Sequence, residues 1–200
     1  VLEALDLCLA CKGCKGDCPV NVDMATYKAE FLSHYYKGKL RPRYAYSMGL
    51  IYWWARIASR MPRVVNWVMQ APVLGDVARW LGGMAPQREI PQFADETFRD
   101  WFRRRPVRHL TRPPVLLWPD TFNNHFHPET AIAATSVLEA AGYHVLVPRA
   151  ALCCGRPLYD FGMLTTAKRL LQRILRELEE PIRRGVRLVG LEPSCVAVFK

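Results

Sequence analysis

The sequence predicts an α plus α/β protein: a small helical unit around a four-cysteine loop, a helical segment with a linker, and a small parallel-sheet βαβαβ module. Three observations carry that prediction. Four cysteines crowd into residues 8–18, and prolines at 42, 62 and 72 cut an apolar, tryptophan-rich stretch into helix-length pieces. Beyond residue 112, short apolar runs alternate with longer stretches of helical period. The expected units are residues 1–40, 41–112 and 113–200.

Taken in order, Val1 to Leu7 reads as a short helix, with Leu2, Leu5 and Leu9 on neighbouring turns. The cysteines that follow are spaced CxxCxxCxxxCP, which is the ligand run of a bacterial-type [4Fe-4S] site. Cys8, Cys11 and Cys14 are therefore read as ligands of one cluster. Cys18, followed by Pro19, is read as a fourth ligand that can serve a second cluster instead. Gly13 and Gly16 are expected to let the backbone fold closely around the metal. Zinc sites commonly split their ligands into two separated pairs, and this run has no such gap. The alternative reading is nonetheless a zinc-bound, non-redox scaffold with a basic docking surface. Asp23 to Tyr36 resumes helical spacing through Met24, Tyr27, Phe31 and Tyr35, a stripe expected to cover the cluster in an α-helical ferredoxin-like arrangement.

Arg41 to Gly83 reads as three helices opened or broken by its prolines. The formal net charge of +10 is concentrated in residues 35–112. Basic residues beside Tyr52, Trp53, Trp54, Trp67 and Trp80 are the raw material of a base-stacking platform. No nucleic-acid-reading motif accompanies them, so the expected partner is another protein domain or an anionic surface, including peripheral membrane contact, and not nucleic acid. Residues 85–114 read as a proline-punctuated linker over the surface, with a basic helical piece at Thr97 to Arg105.

Val115 to Trp118, Tyr143 to Val147 and Val186 to Leu191 read as strands, separated by helices at His127 to Ala141 and Gly162 to Arg184. Such alternation means a parallel sheet with right-handed crossovers. Asp120 to Asn124, Cys153-Cys154-Gly155 and Glu192 to Cys195 then all follow strands, and ligands of open α/β sheets bind beyond the carboxyl ends of the strands. Cys153, Cys154 and Cys195 are therefore read as a second metal or redox site, with Asp120 and either Asn123 or Asn124 as its nearest polar neighbours.

The cluster run, the stretch Asn21 to Lys28, Asp120-Thr121-Phe122-Asn123-Asn124, Cys153-Cys154-Gly155-Arg156-Pro157 and Glu192-Pro193-Ser194-Cys195 together resemble the iron-sulfur half of FAD-linked D-2-hydroxyacid dehydrogenases. Those relatives include D-lactate and D-2-hydroxyglutarate dehydrogenases and the iron-sulfur subunit of glycolate oxidase. The carboxyl-terminal part resembles their cysteine-rich CCG domain, shared with heterodisulfide reductase. Where the reductase form has a further cysteine, this chain has Phe122.

The resemblance implies an oxidoreductase in which electrons pass from reduced FAD, bound in an upstream part, through the [4Fe-4S] cluster to a quinone, cytochrome or flavoprotein acceptor, as a D-2-hydroxyacid becomes a 2-oxoacid. The expected partner is the flavin domain of the same polypeptide or complex. The sequence is expected to be a fragment of it, since the cluster run begins almost at once. Seven cysteines, without the pattern of a secretory leader, make a reducing, cytoplasmic setting the expected one.

Overall fold

The computed structural model describes residues 1–199. Its architecture is helix-rich, with a three-stranded parallel sheet towards the carboxyl end. Among the described residues no helix is long and apolar enough to cross a membrane.

Helix α1 (Leu2–Asp6) leads into the cysteine loop, which holds the short α2 (Gly13–Asp17). Helix α3 (Met24–Tyr35) starts at Asp23, whose side chain accepts the Thr26 amide at 3.0 Å and so satisfies one free N–H of the first turn. The face expected to cover the cysteine loop is turned outward: Met24, Tyr27 and Tyr35 are exposed, whereas Ala25, Ala29 and Leu32 are buried. The reason is steric. The backbone at Leu32 and Ser33 lies so close to Gly162 that even a Cβ there would stand 2.6 Å from the Ser33 nitrogen, and a seam that tight takes small side chains.

Four helices follow, α4 (Arg43–Gly49), α5 (Ile51–Ala58), α6 (Pro62–Gln70) and α7 (Pro72–Gly82). Pro62 and Pro72 open α6 and α7, where a missing N–H is harmless. The sequence predicts three helices here, and the fourth arises from a break at Leu50 (φ −94°, ψ 16°). Gly49, just before it, continues a helix poorly and packs against Phe161 and Met163.

The supposed surface linker also departs from expectation. Its helix α8 (Phe98–Arg104) is capped by Thr97 and buries Phe98 completely. Phe98 joins Val115, Leu117, Ala131 and Val145 in one core cluster. The basic composition of the piece pointed to an exposed helix, whereas Phe98, Trp101 and Phe102 stand at i, i+3 and i+4, the spacing of one buried face.

The strands β1 (Pro114–Trp118), β2 (His144–Leu146) and β3 (Arg187–Gly190) lie in the order β2-β1-β3, with Val115 opposite Val145 and Leu116 opposite Leu188. Successive β1 side chains alternate between the two faces. Val115 and Leu117 meet α8 and α10 (Pro128–Ala140), while Leu116 and Trp118 meet Ile174 and Leu178 of α12 (Leu164–Arg183). With both faces covered, β1 is apolar throughout its buried part, as central parallel strands are. Shorter helices α9 (Thr121–His125), α11 (Arg156–Asp160) and α13 (Pro193–Val196) stand where the sequence suggests loops.

Polar side chains of the middle segment fasten the loops of this module. Arg99 donates to the carbonyls of Pro148, Arg149 and Ala150 at 2.8, 2.6 and 3.1 Å. Tyr52 donates to Ala151 at 3.0 Å, and Arg41 to Phe161 and Gly162 at 3.0 and 2.9 Å. Buried carbonyls need such donors.

Candidate functional site

The amino-terminal thiols sit on a curled loop. Ala10 (φ 52°) and Lys12 (φ 61°) take left-handed conformations, whereas Gly13 and Gly16 lie within α2 with no positive φ. The flexibility expected of the glycines is therefore supplied by two ordinary residues in a strained region, a pattern that recurs at functional sites. Cys8, Cys11, Cys14 and Cys18 are all free; Cys11 and Cys14 are exposed, Cys8 and Cys18 half-buried. The backbone amides of Val22, then Val20 and Asn21, point at the Cys18 sulfur and hold its thiol below the usual range, which favours the thiolate that binds metal.

Two cations pin the loop from outside. Lys28 Nζ donates to the Cys8 carbonyl at 2.7 Å, and Arg156 Nη2 to the Ala10 carbonyl at 2.5 Å. Lys12 is paired with Asp23 at 3.4 Å. Tyr159 Oη reaches Thr26 Oγ1 at 2.8 Å, and Lys12 lies over the Tyr159 ring. Arg156 and Tyr159 thus join the cysteine loop to the residues after the cysteine pair. Free thiols at ligand spacing, amides aimed at one sulfur and surrounding positive charge suit an anionic, thiolate-bound cluster. Among the described residues, no three Cys, His, Asp or Glu side chains converge on one point.

At the sheet edge, Cys154 and Cys195 come together, their sulfurs 3.2 Å apart. Both are buried with Leu116, Trp118, Leu152, Ile174 and Leu178. Cys153 packs on the other side with Tyr52, Leu158, Ala167 and Leu170. The Cys154 sulfur and burial push the Cys153 thiol far up. For Cys154, the Cys153 thiol pulls down, but the Cys195 contact and burial outweigh it and raise it to about 12. Beside the three sulfurs lies a cavity of ≈ 150 Å³ that also admits Thr121, Phe122, Arg156, Asp160 and Ser194.

The expected polar neighbours do not line it. Asp120 caps α9, accepting the Phe122 and Asn123 amides at 2.8 and 3.1 Å, and holds the Asn123 side chain at 2.6 Å. Asn124 accepts the Arg99 amide and bonds the His125 ring. Turn-forming Asx residues satisfy their own backbone before anything else. Sequence reasoning also missed Arg156, Tyr159 and Lys28. Only Arg156 had a cue, its place directly after Cys153-Cys154-Gly155.

His125 is a second omission. Its Nδ1 is 2.7 Å from Ser59 Oγ and its Nε2 3.0 Å from Asn124 Nδ2. Burial, helped by Arg56, lowers its pKa to about 4. The unfolded chain takes up this proton near the ordinary value of about 6.5, so the stabilisation is present above that pH and is lost as pH falls towards 4. The expected loss between pH 7 and pH 4 is about 3 kcal/mol. Urea unfolding across that range checks it, and His125→Gln is expected to flatten the curve by that amount.

Residues 120–200 match the family model described as the CCG cysteine-rich domain. A D-2-hydroxyglutarate dehydrogenase from Pantoea ananatis is 23% identical over 213 residues, covering 100% of this chain and 20% of that protein. Its counterpart from Pseudomonas putida is 27% identical over 213 residues, covering 100% and 21%. Lactate utilization protein A from Bacillus velezensis is 32% identical over 75 residues, 38% of this chain and 30% of that protein. No solved structure matches. The chain spans about a fifth of the length of the dehydrogenases it matches throughout. Residues 120–200 are thus similar to the CCG cysteine-rich domain, and the whole chain is similar to about a fifth of the D-2-hydroxyglutarate dehydrogenases.

Proposed function

We propose that this chain is the electron-transfer part of a larger flavin-linked oxidoreductase that oxidises a D-2-hydroxyacid to a 2-oxoacid. Cys8, Cys11 and Cys14 hold a [4Fe-4S] cluster, and Cys18 completes it or serves a second one. The cluster, when bound, supplies one-electron chemistry between reduced FAD in another part of the protein and a quinone, cytochrome or flavoprotein acceptor. The chain's own residues orient the loop and set its electrostatics. The observation that carries the reading is the bond from Arg156, directly after the cysteine pair, to the Ala10 carbonyl between the first two cluster cysteines, since electron transfer needs the two cysteine centres held together. The flavin-bearing part is the proposed occupant of the basic, apolar face of α6 and α7, where Trp67, Val73 and Trp80 are exposed.

Anaerobic purification of the full-length protein tests this reading. A brown protein bleached by dithionite supports it; a colourless one with stoichiometric zinc overturns it. Lys28 and Arg156 give a finer check, because each places positive charge against the loop and so favours the reduced, more negative cluster. Lys28→Met and Arg156→Met are each expected to lower the cluster midpoint by on the order of 30–60 mV, a threefold to tenfold change in the one-electron constant. Potentiometric titration followed by electron paramagnetic resonance reads the shift.

A further inference from the structure

We propose that Cys154 and Cys195 form a two-electron dithiol/disulfide couple, with Cys153 excluded from it. Topology makes the pair. The loops after β2 and β3 leave the same edge of a parallel sheet, one on either side of β1, and both fold back over the end of that strand. Two glycines permit the approach. A Cβ at Gly190 would stand 2.4 Å from the Val196 Cγ2, so α13 lies close against β3 at the point where it seats Cys195. Gly155 (φ +76°) turns the chain into α11 directly after Cys154, its Cα facing the Ala167 carbonyl at a distance where a Cβ would stand at 3.1 Å.

The resulting 3.2 Å sulfur contact is about 1 Å longer than an S–S bond. Closing that gap asks for a small movement of one short helix. Cys153 and Cys154 border the same cavity but belong to different core clusters, and the close sulfur contact is the one between Cys154 and Cys195. Among the described residues no three Cys, His, Asp or Glu side chains converge around a common point here. The adjacent cavity provides the path in and out. Thr121 Oγ1 is buried there without a hydrogen-bond partner, and Asp160, tied to Arg156 at 3.6 Å, is its one carboxylate.

On oxidation the two S–H bonds break and one S–S bond forms. Two protons leave through the cavity, and two electrons pass to an oxidant of the quinone or flavin class. Reduction reverses all of these, drawing two electrons in succession from the cluster of the amino-terminal loop. The couple thus rests on the electron-transfer reading for its source of electrons and gives it a place where one-electron and two-electron carriers meet.

The test is thiol mapping of the full-length protein, held anaerobically in graded glutathione redox buffers, quenched in acid, alkylated while denatured and analysed by mass spectrometry. A Cys154–Cys195 cross-link, two hydrogens lighter, is expected to appear and disappear reversibly while Cys153 stays alkylated. Cys195→Ser is expected to abolish it. The wild-type map decides the matter even if that variant fails to fold. Alkylation of Cys154 and Cys195 at every buffer ratio overturns the proposal, and so does a cross-link between Cys153 and Cys154. Iron and sulfide measured on the same samples report the amino-terminal cluster separately, so failure of the cluster reading and failure of the couple are told apart.

Discussion

Replacing Cys11 with serine is expected to strip the protein of most of its iron and sulfide, a roughly tenfold or greater loss, and to loosen the loop from Leu7 to Pro19. Cys11 is exposed and free, so its sulfur contributes little packing, and the change reads metal binding more than core damage. Loss of structure follows from loss of metal, because cluster binding and local folding are coupled in a segment with few other contacts. The left-handed Ala10 and Lys12 on either side of Cys11 cost energy, which the proposed cluster would offset when bound. Iron and sulfide analysis with visible absorption checks the loss, and Cys8→Ser and Cys14→Ser should match it. Cys18→Ser separates the two roles proposed for that residue: loss of the same iron and sulfide makes it a ligand of this cluster, and their retention assigns it to a second one. Full iron and sulfide in the Cys11→Ser protein would remove Cys11 from the ligand set.

Gly162→Ala is expected to lower unfolding stability by about 3 kcal/mol or more. Two effects add. A left-handed residue with a Cβ costs roughly 1–2 kcal/mol, and Gly162 has φ +68°. Its Cβ would also stand 2.6 Å from the Ser33 nitrogen and 2.7 Å from the Leu32 carbonyl carbon, and overpacking of that kind costs about 1–3 kcal/mol. The backbone cannot yield easily, since Arg41 clamps the Phe161 and Gly162 carbonyls from the other side. Gly185→Ala separates the two contributions. Gly185 has φ +76° with nothing within 4 Å of its would-be Cβ, so it should lose only the conformational part. Equal urea midpoints for the two variants would refute the packing argument.

The parts of the fold that were legible share a physical reason. Val115 to Trp118 is a strand buried on both faces, and its unbroken apolar run has no other comfortable home. Prolines 62 and 72 open helices because their fixed φ and missing N–H suit that position. The approach of Cys195 to the cysteine pair followed from parallel strands alone. What stayed hidden depends on side chains from distant segments. The buried face of α3 is its alanine face, chosen by the close passage of Gly162, which no local pattern announces. The division of Cys153 from Cys154 depends on what α5 and α12 bring to each side. Asp120, Asn123 and Asn124 have the chemistry of ligands and the geometry of a helix cap, and composition does not separate the two. Lys28 and Arg156 reach carbonyls of the cysteine loop, contacts that leave no trace in sequence spacing.

The order β2-β1-β3 has a further consequence, for solubility. Among the described residues only β1 is paired on both sides, so β2 and β3 form the two edges of the sheet. Such rims template the addition of further strands from other molecules, and among their residues only Arg187 and His144 carry side chains that discourage it. The rims are short, three residues in β2 and four in β3, and shortness itself limits how well an edge pairs with another molecule, so the colloidal behaviour of residues 1–200 at rising concentration will report how far these two devices suffice.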